Sequence, residues 1–266
     1  MLTKTQIAAE IEQLVKSEGN KYFDRPLVGF SSANDTLYRQ FKRIIGAYHM
    51  TPAQVFKKEF TTKLKEGTVI SWVLPFNQEV RKSNRTQSKF PSREWAHGRY
   101  YGEMVNNRLR EYIPTLLSQH GQKGIAPMKS ESWQRFDDTI GHTSNWSERH
   151  AAFVSGLGTF SLSDGLITPA GVAHRCGNVV TDLVLAPSPR DYSTPYEYCL
   201  YFARGECGEC IKRCPGNAIN KVRHDKKACS NYINTFESDL NEKYQVGTSG
   251  CGLCQTKVAC EHKIPL

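Results

Sequence analysis

The chain has 266 residues, 39% hydrophobic and 23% charged, with a net charge of +9 from 35 Lys and Arg against 26 Asp and Glu. That composition excludes a disordered chain and leaves room for one large domain or two modest ones. No apolar run approaches the roughly 20 residues that a bilayer span needs, and the first residues hold no apolar signal core, so the expectation is a cytoplasmic protein without membrane contact. The positive balance favours acidic partners, although a solubilising surface accounts for it equally well.

In chain order, residues 2–18 place Ile7, Ile11 and Leu14 on one face and predict a helix. Pro26 to Phe30 reads as a short strand and Asp35 to Ile45 as a helix. Thr68 to Leu74 is β-branched and stops at Pro75, the clearest strand signal in the chain. From Arg81 to Arg99 six Lys and Arg stand against one acid, Glu94. A solvated loop is the expectation there, with an anion- or nucleic-acid-binding loop as the alternative. Residues 92–119 form a long helical pattern with Ser92 as N-cap and a kink or break at Pro114. Lys123 to Met128 suggests a further strand. Asn145-Trp-Ser-Glu148 has capping-box spacing and predicts a helix over 146–155, stopped by Gly156-Leu-Gly158. Strand-like stretches follow at Leu166–Ile167 and Gly177–Leu185. The mixture gives the class α+β. Ala186-Pro-Ser-Pro-Arg190 is a proline-rich joint, which sets the expected domains at 1–185 and 186–266.

Nine cysteines are distributed unevenly: none precedes Cys176, and eight lie between Cys199 and Cys260. In a reducing compartment, cysteines clustered at C-x-x-C spacing read as metal ligands rather than disulfides. Cys207-x2-Cys210-x3-Cys214-Pro215 fits the rule of bacterial two-cluster ferredoxins, in which the cysteine before the proline ligates the other cluster. Arg204 occupies the place of the first cysteine, so Cys199 supplies that ligand through a longer loop. The short C-x2-C loop reaches two corners of one cubane, and the cysteine before the proline points toward a second. One [4Fe–4S] cluster is therefore assigned to Cys199, Cys207, Cys210 and Cys260, and the other to Cys214, Cys229, Cys251 and Cys254. Structural zinc is the alternative, but zinc does not require the C-x3-C-P continuation. Cys176, in His174-Arg-Cys-Gly-Asn, stands outside both sets and is expected to be a small buried residue, with a ligand or nucleophile role as the alternative.

Glu148-Arg-His-Ala-Ala-Phe-Val-Ser-Gly-Leu-Gly158, then Leu166-Ile-Thr-Pro, then Arg175-Cys-Gly-Asn-Val-Val-Thr-Asp182, followed by the cysteine segment, resembles the tRNA epoxyqueuosine reductases and, more distantly, the reductive dehalogenases. The resemblance is carried by residues 145–260. It implies a nitroreductase-like α/β domain that holds cobalamin, followed by a two-cluster ferredoxin-like domain. It also implies a reductase in which the clusters pass electrons to a cobalamin that reduces a small or nucleoside-type substrate. An electron carrier without substrate chemistry of its own is the alternative, and flavin in place of cobalamin ranks last because no phosphate-cradling glycine loop supports it. The implied partners are an electron donor of flavodoxin or ferredoxin type and, through its substrate, tRNA. The sequence ends at Leu266, before the helical-repeat extension of those reductases, so a short form is expected.

The resemblance also nominates residues. The reductases carry an acidic proton donor about fourteen positions before Gly-Leu-Gly, where this chain has His142, an imidazole able to act as an acid near neutral pH. Glu148 matches an acid in the reductases, and its expected capping role explains it equally well. Arg99-Tyr-Tyr-Gly102 is similar to an aromatic stretch near their cofactor, which nominates Tyr101 as a donor to substrate. Gly156 and Gly158 are expected as close-approach backbone positions at the cofactor, with Arg175 and Cys176 beside it.

Overall fold

The computed structural model describes residues 2–138 and 141–266. Helix α1 (Lys4–Leu14) opens with a capping box between Thr3 and Gln6 and runs on into a π-helical turn, Val15–Gly19. Strand β1 (Leu27–Ser32), α2 (Leu37–Ile44) and α3 (Pro52–Phe60) follow. Next come β2 (Thr68–Pro75), α4 (Gln78–Arg85) and α5 (Arg93–Gln119). After β3 (Gly124–Ile125) a hairpin, β4 (Arg135–Asp138) and β5 (Gly141–Ser144), leads to α6 (Glu148–Val154). A second small hairpin, β6 (Thr159–Phe160) and β7 (Leu166–Ile167), precedes β8 (His174–Thr181). The cysteine segment carries α7 (Leu200–Arg204), α8 (Glu209–Arg213), α9 (Lys226–Asn234) and α10 (Glu237–Tyr244).

The main sheet has the order β1-β2-β8-β3 with antiparallel pairing throughout. All eight residues of β2 are buried, so both faces of this strand are covered. Its alternation divides the core. Ile70, Trp72 and Leu74 join Ile7, Ile11, Leu109 and Ile113 of α1 and α5 on one face. Val69 and Val73 join Phe41, Val55, Phe56 and Ala152 from α2, α3 and α6 on the other. A sheet with helices on both faces follows from period-2 strands that are apolar in both directions. The wholly antiparallel pairing keeps the class α+β. No helix among the described residues is long and apolar enough to cross a membrane.

Local departures have physical causes. Helix α5 runs through Pro114 without a break. The hydrogen bond lost there is offset by burial of Ile113, Leu116 and Leu117 against the sheet. The cap of α6 is Ser147, whose hydroxyl accepts from His150 N, because Asn145 is taken by the loop before it, donating to Ser132 O and accepting from Gln134 N. Glu148 thus opens the helix instead of closing a capping box. The expected strand at 123–128 shrinks to Gly124–Ile125. The expected loop from Arg81 to Arg99 is in fact the end of α4 and the start of α5. A third cluster joins Leu162, Ile167 and Val172 to Cys199, Ile219 and Val258, so apolar side chains from both sides of residue 185 share one core.

Candidate metal and cofactor site

The cysteines are delivered by short helices and tight turns. Cys199 caps α7, which Gly205 ends in the left-handed conformation. Cys210 lies in α8, and Cys214 leaves that helix in an extended conformation, as the residue before Pro215 must. Cys229 sits in α9, whose N-terminus is capped by the Asp225 carboxylate accepting from Ala228 N at 2.9 Å. Cys254 lies within a single 3-10 turn, Leu253–Gln255, and Cys251 precedes it.

Cys199, Cys207, Cys210 and Cys260 line one cavity, closed by Leu162, Ile167, Leu200, Tyr201, Val258 and Pro265. Burial, and then the Cys199 and Cys207 sulfurs, push the Cys210 thiol up to about 12. Cys260 is raised for the same reasons, by burial and by Cys199, Cys210 and Cys207. Cys214, Cys229, Cys251 and Cys254 form a second set. Burial raises Cys251 to about 11, with Cys229 and Cys214 adding to it, and raises Cys254 further, with Cys251, Cys229 and Cys214 as neighbours. Four crowded sulfurs in a dry site resist becoming thiolates unless a strongly cationic group offsets their charge. Among the described residues no three His, Cys, Asp or Glu side chains converge as the ligands of one ion do. Four sulfurs at the corners of a cubane stand further apart than those around a single zinc.

The cysteine segment is fastened to the sheet domain at close quarters. A Cβ on Gly252 would fall 2.0–2.2 Å from atoms of the Trp95 ring, and one on Gly250 would fall 2.7 Å from Arg99 Nε. Arg213, next to Cys214, donates from Nε to Thr256 O at 3.0 Å, from Nη1 to Gln87 O at 2.7 Å and from Nη2 to Asn84 O at 3.3 Å. Glu261, 1% exposed, accepts from Arg85 Nε at 2.7 and 2.8 Å and from Lys257 N at 2.6 Å, and pairs with Arg81 at 3.6 Å. Half of the basic run from Arg81 to Arg99 thereby meets the cysteine segment: Arg81 and Arg85 pair with Glu261, and Arg99 packs against Gly250.

On the sheet domain, α5 presents a polar stripe at helical spacing: Arg99, Glu103, Asn106 and Arg110. Arg110, 2% exposed, donates to both oxygens of Glu148 at 2.9 and 2.7 Å and to Glu103 at 2.5 Å. Arg175 Nε donates to the other Glu103 oxygen at 2.6 Å. Burial opposes ionisation of Glu103, but Arg175 and Arg110 hold its carboxyl down at about 2. Burial pushes Glu148 up while Arg110 pulls it back. Asn106 accepts from Trp72 Nε1 at 2.7 Å and donates to Cys176 O at 2.9 Å. Arg99 is different. Its Nε is buried without a hydrogen-bond acceptor, and burial, reinforced by Arg175, lowers it to about 10.

The nominated residues do not gather at one point. The Tyr101 hydroxyl donates to Gln245 O at 2.9 Å, and its ring stacks on Tyr22. His142 lies on β5, more than half exposed, 3.9 Å from Asp137. Its hairpin abuts α9, where a Cβ on Gly141 would meet Lys226 Cβ at 2.9 Å. Glu148 is engaged by Arg110, and Arg175 by Glu103. Burial, and then Glu148, push the Cys176 thiol up to about 12, which leaves it a poor nucleophile. Gly156 and Gly158 are approached by the chain's own carbonyls, Pro189 O at 2.2 Å and Ile167 O at 2.1 Å from a built Cβ. A cavity of about 350 Å³ beside Gly156 and Leu157, lined by Ala8, Arg25 and Val28, shares no residue with the cysteine cavity. Sequence reasoning missed Glu103, Arg110, Arg213 and Glu261. The 4-3-4 spacing of the α5 stripe was the available signal for the first two.

No family model matches the chain, and no curated protein sequence matches it. Solved structures do. A selenomethionine-labelled epoxyqueuosine reductase superposes with a TM-score of 0.53 at 16% identity, over 96% of this chain and 66% of that one. An epoxyqueuosine reductase bound to an epoxyqueuosine-modified tRNA-Tyr stem loop gives a TM-score of 0.52 at 16% identity over the same shares. More distantly, the N-terminally tagged catabolic reductive dehalogenase NpRdhA gives 0.50 at 15% identity, over 94% of this chain and 35% of that one. The likeness is one of fold, and this chain spans 66% of the length of the two reductases.

Proposed function

We propose that the chain is an iron–sulfur reductase in which two [4Fe–4S] clusters pass electrons to a reducible centre on the α5–β8 face of the sheet domain. The observation that carries this reading is the cavity lined by Cys199, Cys207, Cys210 and Cys260, with a second set of four cysteines beside it. Cys214 links the two sets, since the extended residue before Pro215 turns away from the helix that holds Cys210. A cluster held by the second set would adjoin the sheet domain where Gly250 and Gly252 approach Arg99 and Trp95.

Cobalamin is the group proposed for that face, and the orphaned Arg99 Nε fits it, because the amide carbonyls around a corrin supply acceptors for a buried guanidinium. Arg99 and Arg175 would hold it, Arg175 being oriented by Glu103. When bound, cobalamin supplies a strongly reducing, nucleophilic cobalt. The protein's own part is to hold Arg175 in place through the Glu103–Arg110–Glu148 network and to exclude water by closing the cysteine segment on α5. The substrate class proposed is small or nucleoside-type. A nucleoside within tRNA is supported by the tRNA stem loop held by one structural neighbour and by the net charge of +9.

Anaerobic reconstitution followed by iron analysis and a hydroxocobalamin titration tests the reading. The expected result is about eight iron atoms per chain, a brown colour that bleaches on reduction, and retention of one corrinoid. A colourless, zinc-loaded protein overturns the cluster assignment. A silent titration with both clusters present leaves an electron carrier and overturns the cobalamin assignment.

A further inference from the structure

The two cysteine sets differ in their access to solvent. Of the eight, Cys207 is exposed, whereas the others are buried or partly buried. It follows Gly205 and Glu206, themselves exposed, at the end of α7, so the shortest route from solvent to the four-cysteine cavity runs through Cys207.

The surface around that route is unlike the rest of the segment. Tyr196 and Phe202 are 43% and 44% exposed and pack on each other with ring centroids 4.5 Å apart. Tyr201, the neighbour of Phe202, donates from its hydroxyl to Lys221 O at 2.9 Å, which joins α7 to the turn at 220–223. That turn raises Val222, 82% exposed, between Lys221 and Arg223. Arg204, Lys221 and Arg223 are all exposed and form a basic rim around the apolar residues. Most acids of the same stretch are engaged by backbone N–H groups. Glu197 accepts from Ser193 and Thr194, Glu209 from Ala259, and Asp225 from Ala228. Glu206 is the exception. An aromatic centre with a basic rim is the pattern of a transient protein interface whose partner is acidic.

We propose that α7 and the 220–223 turn form the docking face of an acidic one-electron carrier protein, which delivers electrons to the Cys199–Cys207–Cys210–Cys260 cluster by way of Cys207. This inference rests on the cluster assignment above and adds to it the place and the charge of the donor. In the step itself one electron leaves the carrier's reduced cofactor, which is oxidised by one equivalent. The cluster passes from the [4Fe–4S]²⁺ to the [4Fe–4S]⁺ state, and no bond or proton changes at the cysteines. Phe202 and Tyr196 supply apolar contact area, while Arg204, Lys221 and Arg223 steer the approach.

The test follows bleaching of the clusters in a stopped-flow mixer when anaerobically reconstituted protein meets flavodoxin hydroquinone, a carrier of strongly negative charge. The wild-type rate should fall as salt rises from about 0.05 to about 0.5 M. The triple variant R204E/K221E/R223E should be slower at low salt by about tenfold or more, with the difference closing at high salt. Phe202→Ala should be slower at every salt concentration. Reduction by the methyl viologen radical, a small cation, should be as fast or faster in the triple variant. A triple variant that accepts electrons from flavodoxin at the wild-type rate overturns the docking face, and so does a wild-type rate indifferent to salt. Full iron with either of those results refutes the docking face alone. Iron far below about eight atoms per chain refutes it together with the cluster assignment.

Discussion

Replacing Glu103 by Gln tests whether the α5 network holds the proposed cofactor face together. The carboxylate is 24% exposed and shared by Arg110 and Arg175. Its pKa falls from 4.5 to about 2 in the folded chain, a difference worth about 3 kcal/mol of stability at neutral pH. The contribution belongs to the ionised form. It is complete above the unfolded value of 4.5 and disappears as pH falls through the folded value of about 2. Gln keeps the shape but leaves Arg175 facing a neutral amide, and removing one partner of a buried pair costs about 3–5 kcal/mol in comparable sites. For a chain of this size that corresponds to a drop in Tm of about 6–10 °C. Thermal melts followed by circular dichroism at pH 7 measure it. Melts at decreasing pH should show the gap between wild type and variant narrowing below pH 4.5. Glu111→Gln is the control, because its partnership with Lys129 is half exposed and should shift Tm by less than about 2 °C. A Glu103 variant no less stable than that control, or a gap that widens on acidification, would refute the reasoning.

Replacing any one of the eight cluster cysteines by Ser should lower bound iron from about eight to about four atoms per chain, while Cys176→Ser should leave the count unchanged; iron analysis decides. Gly252→Ala places a Cβ within 2.2 Å of the Trp95 ring at a φ of +65°, so the Cys251–Cys254 turn should lift from α5. The expected readouts are a lower melting temperature and loss of about half the iron. Glu261→Gln should destabilise the fold by about 3 kcal/mol, measured in urea, since Arg81 and Arg85 lose their shared carboxylate. Arg213→Gln should shift one cluster's midpoint downward by roughly tens of millivolts in an EPR-monitored redox titration, with Arg213→Lys closer to wild type. An unchanged midpoint would remove Arg213 from the electrostatics of the site.

What the sequence makes legible depends on how local the determinant is. β2 was readable because Thr68 to Leu74 is β-branched and Pro75 ends it, whereas C-x2-C and C-x3-C-P fix only Cys207, Cys210, Cys214, Cys251 and Cys254 locally and leave the place of Cys199, Cys229 and Cys260 to distant parts of the chain. The cap of α6 was misplaced by two residues because Asn145 and Ser147 offer the same chemistry, and a loop 11 residues upstream decides between them. The run from Arg81 to Arg99 looked solvated because its partner, Glu261, lies 176 residues from Arg85. Glu148 was read as a cap or an acid, whereas its partner Arg110 is 38 residues away on another helix. In each case a local signal was present and a distant partner outweighed it.

The surroundings of the two cysteine sets would give the proposed electron flow a direction. Cys207 meets solvent near the Tyr196–Phe202 ring pair, so the proposed donor would approach the first set. Gly250 and Gly252, on either side of Cys251, lie against α5, and Arg213 stands near Cys251 and Cys254 and donates to three neutral carbonyls. Its positive charge is therefore not cancelled by a hydrogen-bonded carboxylate, and it would favour the reduced form of a cluster bound by the second set. On the proposed reading, an electron entering at Cys207 would pass to the set beside Arg213 and from there to the α5 face, where Arg99 holds a buried N–H without an acceptor. Had the exposed cysteine belonged to the set that touches α5, donor and substrate would compete for one face. The proposed arrangement would keep them on opposite sides of the cysteine segment.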